Sequence, residues 1–215
     1  MFSICLLKNR RWNVLARMLM AVLVGMLVVA HAAAGQMVQT HPSHVISYGM
    51  FNACAWSPDG AKIALAHSGA LSLLDAQNLQ RLDTFFTTHW AASGQLLHPT
   101  DITSVAFSPD GQRLAVASGP ATVFSMAGKI IFSIDTGSWH SVAFSHDGQY
   151  LATGAGGGSV DLWNAATGEH VKTFSGHTQV VYCLAFSNDD SLLLTGADDN
   201  KAILWDVSGG TAVRT

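Results

Sequence analysis

Charged side chains are scarce in this sequence. Asp, Glu, Lys and Arg make up 12% of its 215 residues, about half the share of an average soluble domain. The scarcity is uneven. Four of the eleven basic residues (Lys8, Arg10, Arg11 and Arg17) and none of the fourteen acidic ones lie in residues 1–34. From residue 35 onward seven basic side chains face fourteen acidic ones, a net charge of −7 with the histidines neutral. No basic stripe remains to grip a phosphate backbone, so no nucleic acid partner is expected. Cysteine is scarce too. Beyond residue 34 only Cys54 and Cys183 occur, each inside an apolar run (NACAW and YCLAF). That placement favours buried free thiols over a disulfide framework.

A full membrane-spanning run is also missing. Near the N-terminus MLMAVLVGMLVVA, Met18 to Ala30, is thirteen residues long, or seventeen counted on to Ala34. A bilayer-crossing helix needs ~20. A basic start, a short apolar core and small residues at Ala30/Ala32 or Ala32/Ala34 describe a secretory signal peptide over residues 1–34. The alternative is an uncleaved anchor. In both cases the basic flank stays cytoplasmic and the rest is exported. The product is then periplasmic or secreted if cleaved, or membrane-anchored with the remainder outside the cytoplasm. Residues 35–50 form a polar lead-in segment.

What the rest of the sequence has in abundance is repetition. ACAWSPDG (53–60), SVAFSPDG (104–111), SVAFSHDG (141–148) and CLAFSNDD (183–190) share one pattern, with anchors at Trp56, Phe107, Phe144 and Phe186 spaced by 51, 37 and 42 residues. Each anchor closes an alternating apolar run and opens a tight Ser-Pro-Asp-Gly-type turn. A second run follows (AKIALAHS, QRLAVASG, QYLATGAG, SLLLTGAD), then a third (LSLLD, TVFSM, VDLWN, AILWD) and a fourth, as in VKTFSG. Four short antiparallel strands per ~40-residue unit predict the blades of a propeller.

Gly176-His177, AFSNDD, TGADD and Trp205-Asp206 together resemble the WD40-repeat family, and the resemblance covers about residues 51–215. It implies an all-β, WD40-type β-propeller of four recognisable blades, at about 51–97, 98–135, 136–175 and 176–215, after a short N-terminal signal helix. The pattern is closest in the fourth repeat and good in the third. Leu74-Asp75 replaces Trp-Asp in the first repeat, and the second has no such pair. In the family a histidine, a hydroxyl residue, an aspartate and the tryptophan hydrogen-bond within the blade, which here implies His177, Thr195, Asp199 and Trp205. The third repeat keeps Thr153 and Trp163 but has Gly157 and Asp135 at the other two places. The second keeps His98 and has Val116 for the hydroxyl. Those two blades are expected to rely on packing alone.

Catalysis is not expected. A His-Thr-Asp set inside a blade lacks the exposed nucleophile and oxyanion hole of a triad enzyme. Gly154–Ser159 joins two strands without a following helix, so it is a hairpin turn rather than a dinucleotide loop. Gly128-Lys129 lacks the other residues of a phosphate-binding loop. His41 and His44 are two ligands where structural zinc takes four, and Asp198-Asp199-Asn200 lacks the distal glutamate of a calcium loop. No cofactor and no metal site follow. The resemblance implies an exported binding or scaffold module that mediates protein–protein interaction. The alternative is an exported propeller enzyme or small-ligand component using the central channel. The longest spacing places extra residues at Thr87–Leu97, where His89 and Trp90 make a candidate interaction loop. The membrane is a partner only through an uncleaved leader. Four blades are fewer than the roughly seven with which such proteins usually close. An incomplete ring is therefore expected, from a partial product or from two copies sharing one ring, with exposed strand edges as the self-associating surface.

Overall fold

The structure, a computed structural model, describes residues 51–67, 70–86 and 102–215. The chain divides into Met1–Ile46 and Ser47–Thr215, and every described residue lies in the second unit. The leader and its helix, the lead-in segment, His98 and the loop bearing His89 and Trp90 lie outside the described residues.

Four short strands, β1 (Phe51–Trp56), β2 (Lys62–His67), β3 (Ala70–Asp75) and β4 (Arg81–Phe86), pair antiparallel in chain order. At the other end β12 (Val181–Phe186), β13 (Leu192–Ala197), β14 (Ala202–Asp206) and β15 (Ala212–Arg214) form a second sheet of the same order. Between them β5 (Ser104–Phe107), β6 (Arg113–Ala117), β7 (Gly119–Ser125), β8 (Ile130–Phe144), β9 (Tyr150–Ala155), β10 (Val160–Asn164) and β11 (His170–Phe174) make one seven-stranded sheet. The described residues are thus all-β, without a helix.

Two adjoining blades share β8. Its first half pairs with β7 as the outer strand of blade 2, and its second half pairs with β9 as the inner strand of blade 3. It therefore runs straight through the expected boundary at 135/136. The anchor spacing of 37 residues here, against 42 for the next pair, leaves too little chain for a separate connection.

The Ser-x-Asp-Gly turns form for a local chemical reason. In the first, Ser57 Oγ donates to Asp59 Oδ1 (2.5 Å) and accepts from Lys62 N (2.8 Å), while Asp59 Oδ1 accepts from Ala61 N (3.0 Å). Ser108, Ser145 and Ser187 repeat the arrangement with Asp110, Asp147 and Asp189. The residue closing the third strand caps the next turn. Asp206 Oδ1 accepts from Ser208 N (2.8 Å) and Gly209 N (3.1 Å), and Asn164 and Asp75 do the same in their blades.

The core lies between successive blades. Each blade carries a cross-strand row on its forward face: Ala55–Ala64–Leu73, Ala106–Ala115–Val123, Ala143–Ala152–Leu162 and Ala185–Leu194–Leu204. The first three rows pack on the back face of the next blade, against Leu114 and Phe124, Leu151 and Trp163, and Leu193 and Trp205 respectively. Small alanines let the sheets approach closely enough for the large rings opposite.

Every outer strand slips register by one residue at the same place, and the residue passed over is an exposed aliphatic: Leu82, Ile131, Val171 or Val213. A bulged edge twists away from a would-be partner strand. The expected adhesive strand edges are therefore blunted. The cysteines also differ from expectation: Cys54 is free but exposed, because its side of β1 faces away from blade 2, and Cys183 is only half-buried.

Candidate functional site

Blade 4 brings its four polar residues into one chain of contacts. Trp205 Nε1 donates to Thr195 Oγ1 (2.9 Å), Thr195 Oγ1 lies 2.8 Å from His177 Nε2, and His177 Nδ1 lies 3.0 Å from Asp199 Oδ2. The proton directions follow from the inventory of donors. A carboxylate only accepts and an indole only donates. Asp199 therefore holds Nδ1–H, and Thr195 Oγ1, beside Nε2, takes the indole N–H. Asp199 also accepts from Thr178 N and Lys201 N, at 3.0 Å each. Burial pushes the Asp199 carboxyl up, but these N–H donors and the His177 ring outweigh it and hold it below the usual carboxylate range.

The order Asp199–His177–Thr195 is that of a nucleophilic triad, so accessibility decides what it can do. Thr195 is 0% exposed and the side chains of His177 and Asp199 are 0% and 4% exposed. The hydroxyl is already engaged by an indole, and no face remains for a substrate. The set satisfies buried polar groups, each of which would otherwise cost about 1–3 kcal/mol.

Blade 3 departs from the expectation of packing alone. Trp163 Nε1 donates to Thr153 Oγ1 (2.8 Å). The connection into this blade is short and holds no Gly-His pair, and Trp139 sets its ring edge-on to Trp163 at 5.8 Å, much as His177 stands to Trp205 at 6.5 Å. Asp135 takes no part in this network; its exposed carboxylate accepts from Ser133 Oγ (2.7 Å). Gly157 has open space around it. A second polar group, which sequence reasoning missed, sits beside the indole. Asp161 accepts from Thr173 Oγ1 and Ser159 Oγ and lies 3.1 Å from His170 Nε2, whose ring stacks edge-on to Trp163 at 4.9 Å. Thr173 and Asp161 face the same nitrogen of His170, so no relay through the ring exists. In blade 2, Val116 is fully buried and Thr122 Oγ1 meets Ser133 Oγ at 3.2 Å.

Blades 3 and 4 are also tied through their first turns. Glycine holds positive φ at Gly60, Gly111 and Gly148, and Pro109 lies 3.1 Å from where a Cβ on Gly148 would be. At the next junction both partners change: His146 replaces the proline and Asp190, at φ 58°, the glycine. Asp190 then accepts from His146 N and Asp147 N (2.8 Å each) and faces His146 Nδ1 at 3.0 Å. Burial raises the Asp190 carboxyl, and these donors more than reverse it, leaving it depressed. The exchange is matched, so His146→Pro with Asp190→Gly should recover part of the stability that Asp190→Gly loses alone. A coupling of about 0.5–2 kcal/mol is expected in urea denaturation, and strictly additive effects would contradict the latch.

Acid should release the same elements. Both Asp190 and Asp199 are depressed in the folded chain. The stability they contribute is therefore full above the ordinary carboxylate value of about 4 and is lost as pH falls through their lower folded values. Thermal melts across that range should show an acid limb that Asp199→Asn flattens. An unchanged limb in the variant would count against this assignment.

The WD40 repeat (WD domain, G-beta repeat) matches residues 90–124, 128–164 and 168–206, more than half of the chain. The chain belongs to the WD40-repeat family. Each match ends on the third strand of a blade, at β7, β10 or β14. The second and third matches each take the outer strand of one blade and three strands of the next, whereas the first begins after β4 and spans β5–β7 among the described residues. The first sheet, β1–β4, lies before the matched repeats. No curated protein matches the chain. Among the described residues no cluster of three or more His, Cys, Asp or Glu side chains is placed to hold a metal ion.

Proposed function

We propose that this WD40 chain is an exported, non-catalytic scaffold that binds protein, with its blades as part of a propeller and its loops as the contact surface. WD40 repeats in general serve protein–protein interaction. One observation carries the non-catalytic half of the reading: among the described residues the triad-ordered set His177–Thr195–Asp199 is sealed inside blade 4 with its hydroxyl engaged by Trp205. Rigid sheets with short connecting loops suit presentation of a fixed surface. Export rests on the basic–apolar–small order of residues 1–34.

Cross-linking in the source cells, followed by purification, should retrieve a protein partner from the exported fraction. Trp90→Ala should weaken that capture at a stability cost below ~1 kcal/mol. N-terminal sequencing of the exported chain should begin near residue 33 or 35, after cleavage at Ala32 or Ala34. A chain confined to the cytoplasm, or a turnover that Thr195→Val abolishes while the fold persists, would contradict the reading.

A further inference from the structure

The turn that closes the last hairpin is built alike in blades 1, 3 and 4, over residues 75–80, 164–169 and 206–211. The first residue donates its N–H to the carbonyl of the sixth: Asp75 to Gln80 (2.8 Å), Asn164 to Glu169 (2.8 Å) and Asp206 to Thr211 (2.9 Å). Its own carbonyl accepts from the N–H of the fifth: Leu79 (2.9 Å), Gly168 (2.8 Å) and Gly210 (2.8 Å). That fifth residue stands in the left-handed region each time, Leu79 at φ 58°, Gly168 at 76° and Gly210 at 71°.

Leucine is the odd residue of the three on backbone grounds. Glycine enters the left-handed region freely, whereas an L side chain crowds the following carbonyl there. Leucine also lacks the short polar group with which Asp190 and Asn200 offset that strain. In blades 3 and 4 the glycine is demanded from outside as well. A Cβ on Gly168 would lie 2.7 Å from Phe132, and one on Gly210 2.8 Å from Lys172, each on the outer strand of the preceding blade. Blade 1 is the first described blade, so no described outer strand crosses its turn. This explains why a side chain is tolerated at 79 but not why it is there.

The surroundings suggest a use. Leu79 is half-buried, while Gln77, Asn78 and Gln80 beside it are exposed. Asp75 Oδ1 accepts from Gln77 N (2.9 Å) and Asn78 N (3.1 Å), and Asn78 Oδ1 accepts from Gln80 N (2.8 Å), which fixes the turn. An aliphatic knob on a rigid turn, ringed by uncharged hydrogen-bonding side chains, has the apolar centre and polar rim of a contact and needs little ordering on binding. Strain retained where the fold does not require it points the same way.

We propose that Leu79 is a contact residue of the scaffold, its side chain seated in an apolar socket on a partner protein, with Gln77, Asn78 and Gln80 bonding across the rim. A protein is the occupant because a knob requires a shaped recess opposite it and amide side chains match a polypeptide's own donors and acceptors. With no basic residue among 75–80, nothing in the turn draws it to a phosphate or an anionic lipid surface. The inference rests on the protein-binding reading above and names one of its contacts.

In the cross-linking experiment above, Leu79→Gly and Leu79→Asn should each lower the yield of the captured protein about tenfold, the scale of seating one aliphatic side chain. Their urea midpoints should equal or exceed that of the wild type, since both residues suit the left-handed turn better than leucine. Leu79→Met, which keeps an unbranched apolar side chain, should retain capture. A midpoint for Leu79→Gly clearly below the wild type would mean that the leucine packs on its own chain, and would overturn the proposal. So would capture that Leu79→Met loses as fully as Leu79→Gly. If the wild type captures a protein that Leu79→Gly and Leu79→Asn capture equally well, this inference falls alone and the scaffold reading stands. If the wild type captures none, the scaffold reading fails and this contact with it.

Discussion

Replacing Trp205 with alanine should lower the stability of the protein by about 3–5 kcal/mol, the range for deleting a buried aromatic ring. The ring is 2% exposed and lies 5.6 Å from Phe174, at the centre of the core between blades 3 and 4. Two losses add. The ring leaves a cavity that rigid sheets on both sides fill poorly, and Thr195 Oγ1 loses the indole N–H that it accepts. Trp205→Phe separates them, since it keeps much of the ring and removes only the donor. It should cost about 1–3 kcal/mol. Urea denaturation of the three proteins checks both values. A loss for Trp205→Ala below ~1 kcal/mol would mean that blade 4 is not packed as described.

Gly158→Ala should cost roughly 2–4 kcal/mol, from backbone strain and overpacking together. Gly158 sits in the β9–β10 turn at φ +91°, and a Cβ there would come within 2.5 Å of the His177 carbonyl oxygen and 2.8 Å of its carbon. Those are backbone atoms of the segment that carries the histidine into blade 4, so nothing flexible can yield. Its neighbour is the control. A Cβ on Gly157 meets nothing within 4 Å, and Gly157→Ala should change stability by less than ~0.5 kcal/mol. Paired thermal melts decide the matter, and equal effects at the two positions would contradict the close approach. The contrast also assigns a role to the glycine run 156–158: it lets a hairpin turn fit beneath the next blade's connection.

Much of this architecture is legible in the sequence because the repeat spells it out. Ser-Pro-Asp-Gly marks a turn through its own side-chain bonds, and the resemblance to WD40 repeats implies the set of His177, Thr195 and Trp205. Other features are hidden for physical reasons. The repeat boundary expected at 135/136 falls inside a continuous β8, because the short anchor spacing leaves too little chain for a separate connection. Asp161, His170 and Thr173 meet across β10 and β11 only because the strand slips register between Leu162 and Trp163, and a bulge leaves no mark in apolar alternation. The His146–Asp190 latch was visible in principle. Both changes depart from the repeat, but their proximity depends on how neighbouring turns stack, which one repeat viewed alone does not show. Alternation in NACAW likewise says that one side of β1 is buried without saying which side lacks a neighbour.

The Trp163–Thr153 pair of blade 3 and the Trp205–Thr195–His177–Asp199 chain of blade 4 are buried structural devices. Hydrogen exchange of the indole N–H groups tests this most directly. The Nε1–H of Trp163 and Trp205, each donated at 2.8–2.9 Å to a fully buried threonine, should exchange only through opening of the whole core, as the slowest backbone amides do. Rapid exchange at Trp205 while the surrounding amides stay protected would show an open, accessible set and contradict the claim.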